Sequence, residues 1–167
     1  MDLREKLNRM FILGTTGGGC KSVKNLGGII FFTHDIQSKE QFKKLISNIK
    51  SECNPLFLSI DQEGGRVERT ENIHNGKKYL SAKFAFEKGE EFLKTQTQEI
   101  ACELKEYGIN LNFAPCVDVN TNPLNPIIGE RSYSNKPDEV IKCGKIVSDI
   151  YQKNGIMPLL HQGSHGP

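Results

Sequence analysis

An α/β fold built from parallel strands is the architecture this sequence predicts, and three observations predict it. Short apolar runs recur along the chain, each bounded by Gly, Pro or Asn. Amphipathic stretches with helical spacing lie between them. Polar side chains capable of chemistry follow the carboxyl ends of the runs. Strand, helix, strand, helix in that order means parallel strands joined by right-handed crossovers.

Five apolar runs, "MFILG" (10–14), "GGIIFF" (27–32), "LFLSID" (56–61), "INLNFAP" (109–115) and "IMPLLH" (156–161), read as buried strands, the last two strands being expected over 109–114 and 156–160. Between the second and third, Phe42, Leu45, Ile46 and Ile49 make a helical stripe within residues 38–49. A second helix is expected over residues 90–107, with Phe92, Ile100, Leu104 and Tyr107 on its apolar face and Gly108 closing it. A third is expected over residues 137–153. Pro137 opens its first turn, Val140, Ile141, Ile146, Val147 and Ile150 form its apolar face, and Asn154-Gly155 ends it. There is no internal repeat and no low-complexity linker.

The chain's 167 residues suffice for one domain with its own core. Apolar residues make up 37%, or roughly 47% with the 16 glycines, which excludes disorder, collagen and coiled coil. Twenty-two basic against 20 acidic residues leave +2 and no long single-sign block, so neither nucleic acid nor an anionic membrane is an expected partner. "DLREKLNR" and "SKEQFKK" mix both signs and read as solvated helix faces. No apolar stretch approaches the ~20 residues of a membrane-spanning helix, and the first hydrophobic run is too short for a signal peptide. Cys20, Cys53, Cys102, Cys116 and Cys143 are odd in number and scattered, with no C-x-x-C. Reduced thiols and a cytoplasmic location are the expectation.

His34-Asp35, Asp61-Gln62-Glu63, Asp118 and His161 all lie just past predicted strands. That is the active face of a barrel or the ligand crevice of an open sheet. The long segments after the third and fourth strands, rich in Asn, Gly and Pro, favour the barrel. Two motifs fail on spacing. In "GTTGGGCKS", Cys20 separates Gly19 from Lys21, so the lysine is not placed as a phosphate-binding loop requires. His161 and His165 are four apart, but the glycines and proline of "HQGSHGP" deny them a helix, and no metal site is expected. "SIDQEGGRVER" is more informative. A carboxylate ending a buried strand, then Gly-Gly, then Arg66 and Arg69, brings both signs of charge into one cleft, as ligand binding or a buried Asp-Arg network would. Asp61, Glu63 and Asp118 suggest a two-carboxylate glycosidase, but sequence spacing does not establish carboxyl groups about 5 Å apart.

"IDQEGGRVER" (residues 60–69), "GINLNFAPCVDVNTNP" (108–123) and "NPIIGERSYS" (125–134) closely resemble the amino-terminal half of glycoside hydrolase family 3. They are most similar to its bacterial β-N-acetylhexosaminidase branch, the cytoplasmic enzymes of peptidoglycan recycling. The resemblance implies the first five strand–helix units of a TIM-type (β/α)8 barrel, spanning residues 1–167 as one incomplete domain. It implies that Asp61 accepts hydrogen bonds from the terminal sugar's hydroxyls, that Arg69 and Arg131 donate to the same ring, and that His161 joins them as a substrate-binding residue. Arg66 and Glu63 brace the loop on this reading, and Asp118 supports the "VNTNP" turn. No cofactor or metal is implied.

The departures are specific. The family carries a Lys-His pair in K-H-x-P-G-H-G where this chain reads "LLHQGSHGP", so no lysine precedes His161. The family's acid/base loop and its aspartate nucleophile would lie beyond residue 167, and no catalytic residue is assigned. Two expectations follow. The chain descends from a glycosidase acting on terminal N-acetylglucosamine of cell-wall muropeptides and is inactive alone, or it is a non-catalytic remnant or half that assembles with a separately encoded carboxyl-terminal half.

Overall fold

Five short strands pair in the order in which they occur: β1 (Ile12–Gly14), β2 (Gly28–Phe31), β3 (Phe57–Ile60), β4 (Leu111–Asn112) and β5 (Met157–Pro158). All four pairings are parallel, with Ile12 opposite Gly28, Gly28 opposite Phe57, Ser59 opposite Leu111, and Leu111 opposite Met157. This arrangement comes from a computed structural model, which describes residues 2–15, 25–74, 77–122 and 124–161. The "GTTGGGCKS" loop from residue 16 and His165 lie outside the described residues.

Every expected strand forms, and each is shorter than its apolar run. Pro115 and Pro158 have no N–H to give a ladder, which limits regular pairing in the last two. Bonds on either side extend it: Asn110 N–H to Leu58 O (3.0 Å), Phe113 N–H to Ile60 O (2.8 Å) and Leu159 N–H to Asn112 O (2.9 Å).

The helices follow from their caps. Asp2 and Glu5 form a reciprocal capping box on α1 (Leu3–Asn8), a mixed-charge helix with no buried residue. Ser38 caps α2 (Lys39–Cys53) by accepting from Gln41 N–H at 3.2 Å, and Phe42, Ile46 and Ile49 face inward. A short helix, α3 (Ala82–Glu87), was not expected, because "AKFAFE" is too brief to show a period. The two long helices are α4 (Glu90–Glu106) and α5 (Pro137–Lys153), each close to its expected bounds.

Their apolar faces correct two expectations. Leu93, Ile100 and Leu104 form the buried stripe of α4, whereas Phe92 stays 38% exposed. On α5 the buried stripe is Val140, Cys143, Val147 and Tyr151, and Ile141 is 67% exposed. Phe92 and Ile141 each sit one position, about 100°, off the true stripe. A third correction concerns the thiols. Cys102, Cys116 and Cys143 are free, but Cys53 is disulfide-bonded. Cysteine pairing depends on distances in the fold, which sequence spacing does not carry.

The core centres on an aromatic stack. The Phe31 ring of β2 meets Phe42 of α2 edge-on at 5.1 Å, and Phe42 meets Tyr107 at 5.1 Å. Both phenylalanines are wholly buried. Among the described residues, β1 pairs only with β2 and β5 only with β4, so the sheet has two open edges. Met10, Phe11, Met157 and Leu160 are exposed beside them.

Phe42→Ala is expected to cost about 3–5 kcal/mol, by lost burial plus a cavity. Ile141→Ser is expected to stay within about 0.5 kcal/mol. Urea melts of the two variants check the assignment of the core face.

Candidate functional site

The site is built on one pinned peptide. Gln62 and Asn112 are wholly buried. The Asn112 side-chain amide accepts from Gln62 N–H at 2.9 Å and donates to Gln62 O at 3.0 Å, as a paired strand backbone would. Asn110 does the same one turn of the pleat earlier: it accepts from Leu58 N–H at 2.8 Å and donates to Leu56 O at 2.9 Å. Two asparagines therefore extend the short β4 as side-chain copies of a ladder. The Gln62 side chain then accepts from Arg69 N–H (2.8 Å) and Thr70 N–H (3.3 Å), fixing where the loop returns.

Gly64 and Gly65 make that return sharp. Their φ values are +92° and +61°. A Cβ at Gly64 would lie 2.3 Å from Leu80 O, and one at Gly65 would lie 2.6 Å from the Ser81 Cβ. Both the left-handed backbone and the close approach exclude a side chain.

Charged residues flank the pinned peptide. Asp61 pairs with Arg69 at 3.3 Å, both side chains about a quarter exposed. Arg69 also lies over the Phe32 ring, 5.7 Å from its centroid. Glu63 receives two bonds from Arg131, Nε to Oε2 at 2.9 Å and Nη2 to Oε1 at 2.8 Å. His161 Nε2 stands 2.9 Å from Arg131 Nη2 and 3.4 Å from Glu63 Oε1. The structure thus joins Asp61 to Arg69, and Arg131 to His161 through Glu63. Among the described residues Asp61 and Arg131 share no bond; they meet through the backbone of residues 61–63.

Charge explains the protonation states. Burial alone would raise the Glu63 pKa, but hydrogen bonds from His161 and Arg131 outweigh it and hold the carboxyl below its usual range. The bond to Glu63 raises His161 above the usual imidazole value, against burial. Glu63 therefore stabilises the fold above ordinary carboxylate pH and loses this as pH falls through its lowered pKa. His161 contributes below about 6.5 and loses it as pH rises through its raised pKa.

Other expected residues are braces. Arg66 donates to Pro126 O at 2.5 Å and to Ile127 O. Asp118 is wholly buried: Cys116 Sγ donates to its carboxylate at 3.3 Å, and Ser132 Oγ to its carbonyl at 2.6 Å. Asp35 accepts from Phe32 N–H at 2.8 Å and from Thr15 Oγ1, closing a single turn over Thr33–Asp35. Sequence reasoning passed over Asn110 and Asn112. The signal was present as amides inside an apolar run, "INLNF", where a buried strand should carry none.

Comparison with known proteins fixes the lineage. Residues 20–166 match the glycosyl hydrolase family 3 N terminal domain. The chain belongs to glycoside hydrolase family 3. Beta-hexosaminidase A of Pseudoalteromonas piscicida is 35% identical over 153 residues, which cover 85% of this chain and 25% of that protein. The structure of a family 3 beta-N-acetylglucosaminidase from Paenibacillus sp. superposes with a TM-score of 0.85 at 31% identity, over 96% of this chain and 33% of that one. NagZ of Neisseria gonorrhoeae, solved in complex with N-trifluoroacetyl-D-glucosamine, shares the fold with a TM-score of 0.76 at 23% identity, over 92% of this chain and 52% of that one. The chain therefore spans about a quarter to half the length of these relatives. As a family 3 domain it carries a partial barrel-type α/β sheet, its polar residues gathered at the carboxyl ends of β3, β4 and β5. Leu160, half exposed, stands immediately before His161 where the sequence resemblance implies a lysine.

Two outcomes are expected. Asn112→Ala leaves the buried Gln62 peptide unpaired and costs about 2–4 kcal/mol, read by denaturant melts. Glu63→Gln lowers the His161 pKa to or below the ordinary imidazole value, read by NMR titration of the ring.

Proposed function

We propose that residues 1–167 form the sugar-gripping part of a β-N-acetylhexosaminidase-type barrel and that they bind a terminal N-acetylglucosamine without hydrolysing it. The observation that carries the reading is the pairing of Asp61 with Arg69 two residues from the Glu63–Arg131–His161 cluster, all at the carboxyl ends of adjacent strands. A neutral sugar offers only hydroxyls and an amide. A partly exposed carboxylate such as Asp61 accepts from those hydroxyls, and fixed guanidinium groups donate to their oxygens. Asp61, Arg69, Arg131 and His161 are the residues assigned to this contact, with muropeptide-type glycans as the substrate class. The resemblance of the motifs to family 3 hexosaminidases supports that class.

Catalysis needs more. Retaining hydrolysis uses one carboxyl group as acid and another as nucleophile. The cleft's two carboxylates are each tied to an arginine, and Glu63 is held below the usual carboxylate range. Glu63 is therefore no proton donor at neutral pH. General acid help of about 10²–10⁴-fold is thereby forgone. The open edges of β1 and β5 favour a further reading, that the grip works fully only once additional strand–helix units cover those edges, whether from the same polypeptide or a separate one. A cytoplasmic location has lost its support in the thiols, because the Cys53 disulfide fits an oxidising compartment better.

The test uses purified chain with a fluorogenic N-acetylglucosaminide and, separately, N-acetylglucosamine in an NMR shift titration. Expected are turnover at background and weak saturable binding, with Kd on the order of millimolar, lost in Asp61→Ala. Turnover well above background and abolished by Asp61→Ala would overturn the inactive reading. No shift at Asp61, Arg69 or His161 would overturn the sugar site.

A further inference from the structure

A second set of ionisable groups lies behind the loop that carries Arg69. His74 is wedged between two carboxylates: its Nδ1 is 2.6 Å from Glu103 Oε2 on α4, and its Nε2 is 3.2 Å from Glu68 Oε1. Thr70 Oγ1 stands 2.7 Å from the same Nε2. Tyr79 N–H donates to Glu68 at 3.2 Å, and Tyr79 OH to Glu103 Oε2 at 3.5 Å. The His74 and Glu68 side chains are each 3% exposed, and that of Glu103 is 16% exposed.

The line of hydroxyl, imidazole and carboxylate has the shape of a nucleophile relay. Thr70 is wholly buried, however, so no substrate reaches it. The two carboxylates face opposite nitrogens of one ring, so they do not converge on a cation. What remains is proton storage.

The surrounding charges do not neutralise the cluster. Facing it are Glu71, Lys77 and Lys78 from the loop, Glu99 and Glu106 from α4, and Lys39 from α2. Lys77 is committed to Glu99 at 2.5 Å and lies over the Tyr79 ring. Lys39 and Lys78 are exposed, and among the described residues no lysine or arginine pairs with Glu68 or Glu103. With both carboxylates ionised, the pocket carries a net negative charge even when the imidazole is protonated. Electrical neutrality therefore demands two protons among three groups, and burial makes any other count expensive. Burial pushes both Glu68 and Glu103 up to about 7 and pushes His74 down.

We propose that Glu68, His74 and Glu103 form a proton-holding latch that ties the Arg69-bearing loop to α4 and loosens when its protons leave above neutral pH. In the unfolded chain both glutamates release their protons near 4.5, so folding at neutral pH takes protons up. The stability this supplies is complete below about 4.5 and is lost as pH rises through about 7. His74 acts in the opposite sense, its share growing as pH rises toward the ordinary imidazole value, and two carboxylates outweigh one imidazole. The consequence for sugar contact by Arg69 rests on the proposed function; the proton count does not.

The experiment follows the protons directly. Infrared spectra of the whole chain at about pH 6 should show the carbonyl band of a buried, protonated carboxylic acid, which fades by about pH 8.5. Over the same range Tm should fall by on the order of 5–10 °C. Glu68→Gln and Glu103→Gln should each remove part of the band and flatten the Tm slope, since a neutral amide imitates the protonated acid. Absence of the acid band in the unmodified chain at pH 6 overturns the proposal, whether or not the variants fold. An unchanged slope in folded variants overturns it equally. A separate titration with N-acetylglucosamine keeps failure of the sugar site distinct from failure of the latch.

Discussion

Everything in the cleft depends on the two hydrogen bonds between Asn112 and the Gln62 peptide. Two residues of β4 cannot by themselves align a loop of some twenty residues. A carboxamide carries N–H donors and a carbonyl acceptor side by side, so Asn112 serves both backbone groups of Gln62 as an extra rung without extending the strand. Removing it would leave two buried backbone groups unpaired, each a penalty of roughly 1–3 kcal/mol. With the Gln62 peptide held, burial alternates along residues 61–63 as in an extended chain: Gln62 goes inward, and Asp61 and Glu63 turn partly to the cleft. One pinned peptide thus aims two carboxylates.

How much of this was legible depends on the range of the interaction. The strand order and the long helices were readable, since apolar periodicity reports local burial, and Ser38, Pro137 and Gly108 announced their boundaries. Helix phase was not, as Phe92 and Ile141 show. An exposed aromatic or isoleucine next to a stripe is indistinguishable in sequence from a member of it. The carboxylate-to-arginine partnerships were partly readable. Asp61 and Arg69 lie on one loop, whereas Glu63 and Arg131 are 68 residues apart and meet only through the crossover between β4 and β5. The Glu68–His74–Glu103 cluster was invisible for the same reason. Glu103 faces out of the sequence as one more polar residue on a charged helix, and only packing reveals that it is covered.

The carboxylates near β3 illustrate how burial and partners divide one functional group into three roles. Asp61, about a quarter exposed, is paired with one arginine and remains partly open to solvent. Glu63, 6% exposed with an arginine and a histidine, is spent on holding cations and stays ionised. Glu68, about as buried and paired with no lysine or arginine among the described residues, has its pKa pushed up to about 7 by burial. These three residues stand within eight positions of one another. Coulomb energy in a poorly solvated site decides among the roles, because a buried anion must either find a cation or be neutralised.

This division bears on the proposal that the cleft grips a sugar without cleaving it. An acid catalyst must be protonated at working pH and close to the leaving oxygen. The chain does possess carboxyl groups with raised pKa values, Glu68 on the loop and Glu103 on α4, but both side chains are largely covered, 3% and 16% exposed. Glu63, beside the cleft, is instead held below the usual carboxylate range by Arg131 and His161. Moving a proton from the latch to the cleft would require Glu68 to leave Tyr79 and His74, which undoes the packing that positions Arg69. Along this loop the raised pKa belongs to a buried carboxyl group and the lowered one to a carboxylate held by cations, so an acid acting at the proposed sugar site would come from other elements.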